Sequence, residues 1–146
     1  MDNMIETITF LLNLRKVRNA CRQFMTRDQR KIGIIRQIIW YLTVLKPRSL
    51  QGRMGAFLLY NSEGEAIGYG LLNREENKQW ITGGLIPEYR SLGKGKELFL
   101  TMIAMCRKTP YLEVLKTNKA AIQLYKKIGF TEVKDNGYIL IMKYEK

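Results

Sequence analysis

Leu85-Ile86-Pro87-Glu88-Tyr89-Arg90-Ser91-Leu92-Gly93-Lys94-Gly95 is the stretch that decides the fold. An apolar run over Gln79–Leu85 leads into it. From Gly93 to about Arg107 apolar residues recur at helical spacing, with Leu98, Phe99, Met102, Ile103 and Cys106 on the inward face. The stretch is therefore a turn from a strand into a helix. Such a turn aims four unpaired N–H groups and the positive end of the helix dipole beyond the strand's end. Glycine at 93 and 95 lets a phosphate approach the backbone closely, and Arg90, Lys94 and Lys96 can add charge. A tight turn without a ligand would look the same. Two other phosphate motifs are excluded: Leu98 leaves a dinucleotide-type G-x-G-x-x-G incomplete, and no G-x-x-x-x-G-K-S/T run occurs.

Working outward, Tyr111–Leu115 reads as a short strand and Ala120–Ile128 as a short helix closed by Gly129. With Gln79–Leu85 and its helix they make a βαβ unit, whose strand carboxyl ends frame a ligand cleft. Upstream, Gly55–Tyr60 and Ala66–Asn73 flank a polar, Gly-containing turn and predict a hairpin; Thr131–Lys134 and Tyr138–Tyr144 predict another. Leu11 to about Met25 has helical periodicity through Phe10, Leu14, Val17, Cys21 and Phe24, and a short strand is expected before it at Ile5–Thr9. Thr26 and Gln29 suggest a capping box for a second helix. That helix would carry Ile32, Ile35, Ile39 and Leu42 on one face, with Ile34, Ile38, Tyr41 and Leu45 beside it, and stop near Lys46, ahead of Pro47. The expected fold class is α/β of the α+β kind: a central, mostly antiparallel mixed sheet with one βαβ unit and helices on both faces.

A chain of 146 residues fits one domain, and we see no internal repeat or linker. No apolar run reaches 18 residues, so no membrane span is expected. The stretch Met1-Asp2-Asn3-Met4-Ile5-Glu6 lacks a basic leader, and a cytoplasmic location is expected. Cys21 and Cys106 fall on apolar stripes, which favours buried reduced thiols. Histidine is absent, which removes histidine-based nucleophile pairs and histidine metal sites and leaves acid–base work to carboxylates, tyrosine, backbone or water. The net charge of +12 is uneven: residues 1–53 carry +8, residues 90–127 carry +7, and the other stretches together carry −3. The second basic block coincides with the phosphate-type loop. The first is either a solvated helix face or a surface for an anionic partner.

A second cluster follows the loop: Asn118-Lys119-Ala120-Ala121-Ile122-Gln123-Leu124-Tyr125, then Gly129-Phe130. In this order and at this separation, the two clusters resemble the acetyl-coenzyme A site of the GNAT superfamily of N-acetyltransferases. The first matches its hydrophobic strand, Pro, then R/Q-x-x-G-x-G/A; the second matches N-x-x-A-x-x-x-Y followed by Gly-Phe. The resemblance covers residues 55–146 and fades over the N-terminal third. It implies a single N-acetyltransferase domain over 1–146, with acceptor-side helices in 1–53 and the sheet and coenzyme core in 54–146. It implies acetyl-CoA as co-substrate, without a metal. Backbone groups of Leu85 and Ile86 would bond the pantetheine arm. The N–H groups of Ser91, Leu92, Gly93, Lys94, Gly95 and Lys96 would hold the pyrophosphate, with Arg90 beside them. Asn118 would contact the pantetheine, Ala121 would leave room for it, and Tyr125 would protonate the departing thiolate. Where some relatives carry a general-base glutamate, the strand Gln79–Leu85 has none; Glu113 and Glu88 are substitutes, as is a water chain.

Arg18-Asn19, with Gln37 and Trp40, is similar to the start of relatives that acetylate amino sugars on nucleotide carriers. That likeness implies a small, anionic primary amine whose phosphates meet Arg15, Arg18, Arg22 or Arg36. Two further expectations stay open: a protein amine or aminoacyl-tRNA as acceptor, with the basic segment as a nucleic-acid surface, and a non-catalytic acyl-CoA- or nucleic-acid-binding module. Dimers are common in the family, so a homodimer is open as well.

Overall fold

The protein is described from a computed structural model over residues 2–25 and 29–146. Helix α1 (Asp2–Cys21) ends in a single 3-10 turn at Arg22–Phe24. Helix α2 (Ile34–Trp40) runs through a π-helical turn at Tyr41–Leu45 into α3 (Lys46–Leu50). Then come β1 (Met54–Tyr60), β2 (Ala66–Glu75), β3 (Lys78–Leu85), α4 (Lys94–Met105), β4 (Thr109–Leu115), α5 (Lys119–Ile128), β5 (Phe130–Asp135) and β6 (Ile139–Tyr144). No helix among the described residues is long and apolar enough to cross a membrane.

Six strands form one mixed sheet in the order β1-β2-β3-β4-β6-β5. Every neighbour pair is antiparallel except β3 and β4, which run parallel and are joined through α4. Their pairing is short: Lys78, Gln79 and Trp80 meet Thr109, Pro110 and Tyr111, and the strands then part. The sheet is thus two antiparallel halves hinged at one end and splayed at the other. Each half has its own ladder, and the splay opens at the strands' carboxyl ends, just before α4 and α5.

Strand alternation assigns the two faces. On one, Leu72, Ile81, Leu85, Leu112, Val114, Leu140 and Met142 pack under α4 (Leu98, Phe99, Met102) and α5 (Ile122, Tyr125, Ile128). On the other, Ala66 and Tyr69 pack against Leu14, Val17 and Cys21 of α1, with Trp40 of α2 beside them. Burial of each large apolar side chain contributes about 1.5–3 kcal/mol, so helices on both faces are needed to hold a sheet of this width.

The N-terminal third departs from the sequence expectations in three places. Ile5–Thr9 is not a strand but part of α1. The β-branched run favours a strand locally, but the helix anchored by Leu11, Leu14 and Val17 propagates through it, because extending a helix is far cheaper than nucleating one. Pro47 does not end the second helical segment: the backbone widens into the π turn and resumes as α3 with Pro47 in its first turn, where a missing N–H is tolerated. The inward face of that segment is also the opposite one. Gln37 and Leu45 are buried and Trp40 half-buried, while Ile35 (73% exposed), Ile39 (55%) and Leu42 (54%) face outward. Trp40 packs against the α1 cluster and sets the rotation, overriding the richer isoleucine stripe. The expected cap at Thr26 lies outside the described residues; Gln29 instead donates to the Met25 carbonyl at 2.9 Å.

Candidate active site

The loop from β3 to α4 is built by backbone conformations that few residues adopt. Pro87–Tyr89 makes one 3-10 turn, and the Tyr89 hydroxyl accepts a 2.7 Å bond from Asn61 Nδ2, tying the loop to the β1–β2 turn. Ser91 then takes a left-handed φ of +65°, unusual for a residue with a side chain, and Gly93 caps α4 at φ +77°. The two glycines do different work. At Gly93 a Cβ would meet nothing within 4 Å, so the requirement is the dihedral angle; at Gly95 a Cβ would lie 3.0 Å from Leu124 Cδ2, so the requirement is close approach of α4 to α5.

Arg90 folds back on the strand end, donating to the Leu85 carbonyl from Nε (3.2 Å) and Nη2 (3.1 Å). The Cys21 thiol donates to the same oxygen at 3.0 Å, bringing α1 to the cleft edge. Burial pushes the Cys21 thiol up to about 11 against the lowering effect of Arg90, so it is held as the neutral thiol. The Ile86 amide donates to the Ile67 carbonyl at 2.9 Å. Lys94 pairs with Glu97 at 2.9 Å along the exposed side of α4.

Across the splay, Asn118 caps α5: its side-chain oxygen accepts from the Ala121 amide at 3.2 Å. One face of α5 then carries Ala121, Leu124 and Tyr125 toward α4. Tyr125 is buried, with ring centroids 4.7 Å from Phe99 and 6.0 Å from Phe130. Burial pushes its phenol well above the ordinary tyrosine range, and Tyr69, approaching from the other sheet face, pushes it further. It therefore stays protonated across the physiological range.

These parts open on one cleft of about 660 Å³ that passes through the splay and is lined from both faces. Leu85, Arg90, Ser91, Gly93, Gly95, Lys96, Asn118, Ala121 and Tyr125 line it; Ile86, Leu92 and Lys94 do not, and Leu92 is 66% exposed. Glu113 lines it too, whereas Glu88 is exposed outside it. Motif reading missed the opposite wall: Cys21, Met25, Asn73, Glu75, Trp80 and Thr82. The period-two alternation of β2 and β3 could have grouped the last four on one face, but nothing in the sequence says that this face borders the cleft.

The basic residues of the first third lie elsewhere. None of Arg15, Arg18, Arg22 and Arg36 lines the cleft. Arg18 is buried and donates to the Arg30 carbonyl, with Asn19 Oδ1 at 3.4 Å. Asn19 bonds both backbone groups of Ile32, donating from Nδ2 at 3.0 Å and accepting at Oδ1 at 2.8 Å. Arg22 donates to the Asn19 carbonyl at 3.2 Å. The Arg18-Asn19 pair is a clamp that fixes the approach to α2 against the end of α1.

The parallel-strand splay opens between a glycine-capped helix start on one side and a buried tyrosine on the other, in a fold of the acyl-CoA N-acyltransferase type. Residues 17–130 match the acetyltransferase (GNAT) family, and the chain belongs to that family. An N-alpha-acetyltransferase of Sulfurisphaera tokodaii is 32% identical over 97 residues, a stretch that spans 54% of this chain and 58% of that protein. Among solved structures, the PaiA N-acetyltransferase of Thermoplasma acidophilum in complex with coenzyme A superposes with a TM-score of 0.69 at 21% identity. That superposition covers 93% of this chain and 92% of that one. A Salmonella typhimurium protein solved with its cofactor acetyl-CoA superposes with a TM-score of 0.70 at 18% identity, over 90% and 86%.

Proposed function

We propose that the protein is an acetyl-CoA-dependent N-acetyltransferase acting on a small primary amine. The observation that carries this reading is the meeting, in one cleft, of the Gly93-capped start of α4 with buried Tyr125 of α5. The N–H groups of Ser91, Gly93, Gly95 and Lys96 bind the pyrophosphate, where the helix dipole and Lys96 favour anionic charge. The pantetheine lies in the splay between β3 and β4, along Leu85, Asn118 and Ala121. Ile86 contributes its position rather than its amide, which Ile67 already takes.

The amine nitrogen attacks the thioester carbonyl carbon, and backbone N–H groups stabilise the oxyanion that forms. The C–S bond then breaks and the carbonyl re-forms. The thiolate sulfur gains a proton from Tyr125, whose raised pKa opposes leaving a tyrosinate behind. The proton lost from the attacking nitrogen must therefore return to the phenol, and the net products are the amide and the free thiol of coenzyme A. Glu113 is the carboxylate that the cleft offers to the attacking amine.

The reading is tested by measuring coenzyme A release from acetyl-CoA against amines, amino sugars, peptides and aminoacyl-tRNA. Release with a small amine is expected, and no release with any acceptor overturns it. A protein α-amine is the second reading, favoured by the likeness to the N-alpha-acetyltransferase of Sulfurisphaera tokodaii; release with peptides alone would establish it.

A further inference from the structure

The wall of the cleft that faces α1 carries, among the described residues, an unmatched hydrogen-bond acceptor. Asn73 and Glu75 project from the same face of β2, two residues apart, and Asn73 pairs across β3 with Trp80. Asn73 Nδ2 donates to Glu75 Oε1 at 2.9 Å, which fixes the orientation of the carboxamide. Its other end, Oδ1, is buried and has no hydrogen-bond partner among the described residues. Buried carboxamide oxygens are rarely left unpaired. Arg48 reaches Glu75 only at 4.0 Å, on the oxygen that Asn73 already engages. The Trp80 ring borders the same space, tilted 49° to Tyr111, and Glu113 lines the cleft farther along. The segment 54–89, which supplies this wall, carries −3 in a chain of net +12.

An orphaned amide oxygen, a carboxylate and an indole face converge on one chemistry, a cationic nitrogen that also donates hydrogen bonds. We infer that the acceptor is a diamine-like molecule, whose second cationic nitrogen is held by Asn73, Glu75 and Trp80 while its first meets the thioester in the splay. This deepens the acetyltransferase reading and rests on it. Asn73 and Trp80 share one register position and the splay begins just past Trp80; from there two residues along a strand span about 7 Å, comparable to the nitrogen–nitrogen distance of an extended diaminopentane. It also places phosphate-bearing amines among the poor acceptors, since none of Arg15, Arg18, Arg22 and Arg36, the cations expected to meet an acceptor phosphate, lines the cleft.

The test compares diaminopentane, pentylamine, aminopentanol and aminopentyl phosphate as acceptors for the wild-type protein, Glu75→Gln and Asn73→Leu, with coenzyme A release as readout. Wild type should prefer the diamine over the neutral isosteres by roughly tenfold or more in kcat/KM, as one charge-assisted contact provides. The phosphate should be the poorest acceptor. Glu75→Gln and Asn73→Leu should lower the diamine value roughly tenfold, with the loss mostly in KM, and leave pentylamine within about twofold. Equal use of the diamine and its isosteres, or equal loss on all acceptors in Glu75→Gln, overturns the inference while the acetyltransferase stands. Should no acceptor release coenzyme A, the acetyltransferase reading fails, and calorimetric titration of diaminopentane decides this one. Binding weakened in Glu75→Gln supports the subsite; absence of binding overturns it.

Discussion

The cleft has two walls made in different ways. The wall formed by α4 and α5 is assembled from consecutive residues: Ser91, Gly93 and Gly95 shape one loop, and Asn118, Ala121 and Tyr125 ride one short helix. The wall facing α1 is assembled from single residues on separate strands, with Asn73 and Glu75 on β2, Trp80 and Thr82 on β3 and Glu113 on β4. The first depends on backbone conformation, which consecutive residues encode. The second depends on which strands lie side by side, which they do not. A binding partner recognised by backbone groups leaves a motif, while one recognised by a sheet face leaves only alternation.

The contrast can be broken most sharply at Tyr125. Removing its hydroxyl as Tyr125→Phe keeps the ring contacts with Phe99 and Phe130, and should lower kcat roughly a hundredfold, ~2.7 kcal/mol in the barrier, with acetyl-CoA affinity unchanged. Stopped-flow turnover and a coenzyme titration separate the two. Because burial raises the pKa of Tyr125, the wild-type activity should have no alkaline limb belonging to this phenol below about pH 10; a limb that disappears in Tyr125→Phe would contradict that assignment.

On the other side, Asn19→Ala removes both bonds to Ile32 and should cost about 2 kcal/mol of stability, read as a lowered urea midpoint. The acceptor KM should rise and the acetyl-CoA Kd should not; a matching rise in both would show that the walls are coupled. Gly93→Ala is the counterpart on the coenzyme wall. A Cβ has room there but the +77° dihedral disfavours it, so a loss of about 1 kcal/mol is expected, with acetyl-CoA binding weakened and acceptor preference intact. Far from both walls, Asp135 is held below its usual value by hydrogen bonds from Lys116, at 2.6 Å, and from the Gly137 amide. A depressed carboxyl stabilises the fold above the ordinary value of 3.8 and loses that contribution as pH falls through its folded value. Asp135→Asn should therefore leave melting at neutral pH almost unchanged and flatten its acid slope slightly.

These walls also mark how far the sequence could be read. From Gly55 onward the strands and α-helices fell close to their expected places, because hairpin turns, the Gly93 and Gly95 turn into α4 and the Gly129 end of α5 are local signals. The first third misled because its signals are tertiary. Which stripe of α2 turns inward is set by Trp40 meeting α1, and the path past Pro47 by a π turn that no periodicity announces. Arg18 and Asn19 stood out as a pair, yet their partners are backbone groups of Arg30 and Ile32, twelve and thirteen residues away, so side-chain chemistry alone suggested a phosphate contact instead of a clamp.

Only three residue pairs join β3 to β4, and that seam gives the sheet a mechanical character of its own. Each half is stiffened by a long antiparallel ladder, whereas widening the gap between the halves strains few hydrogen bonds. The cleft can thus widen at little cost in backbone hydrogen bonds, against the packing of Phe99, Tyr125 and Phe130, which joins α4 to α5 and β5. The aromatic cluster acts as the spring of the hinge, and the tyrosine proposed to give the proton is one of its coils.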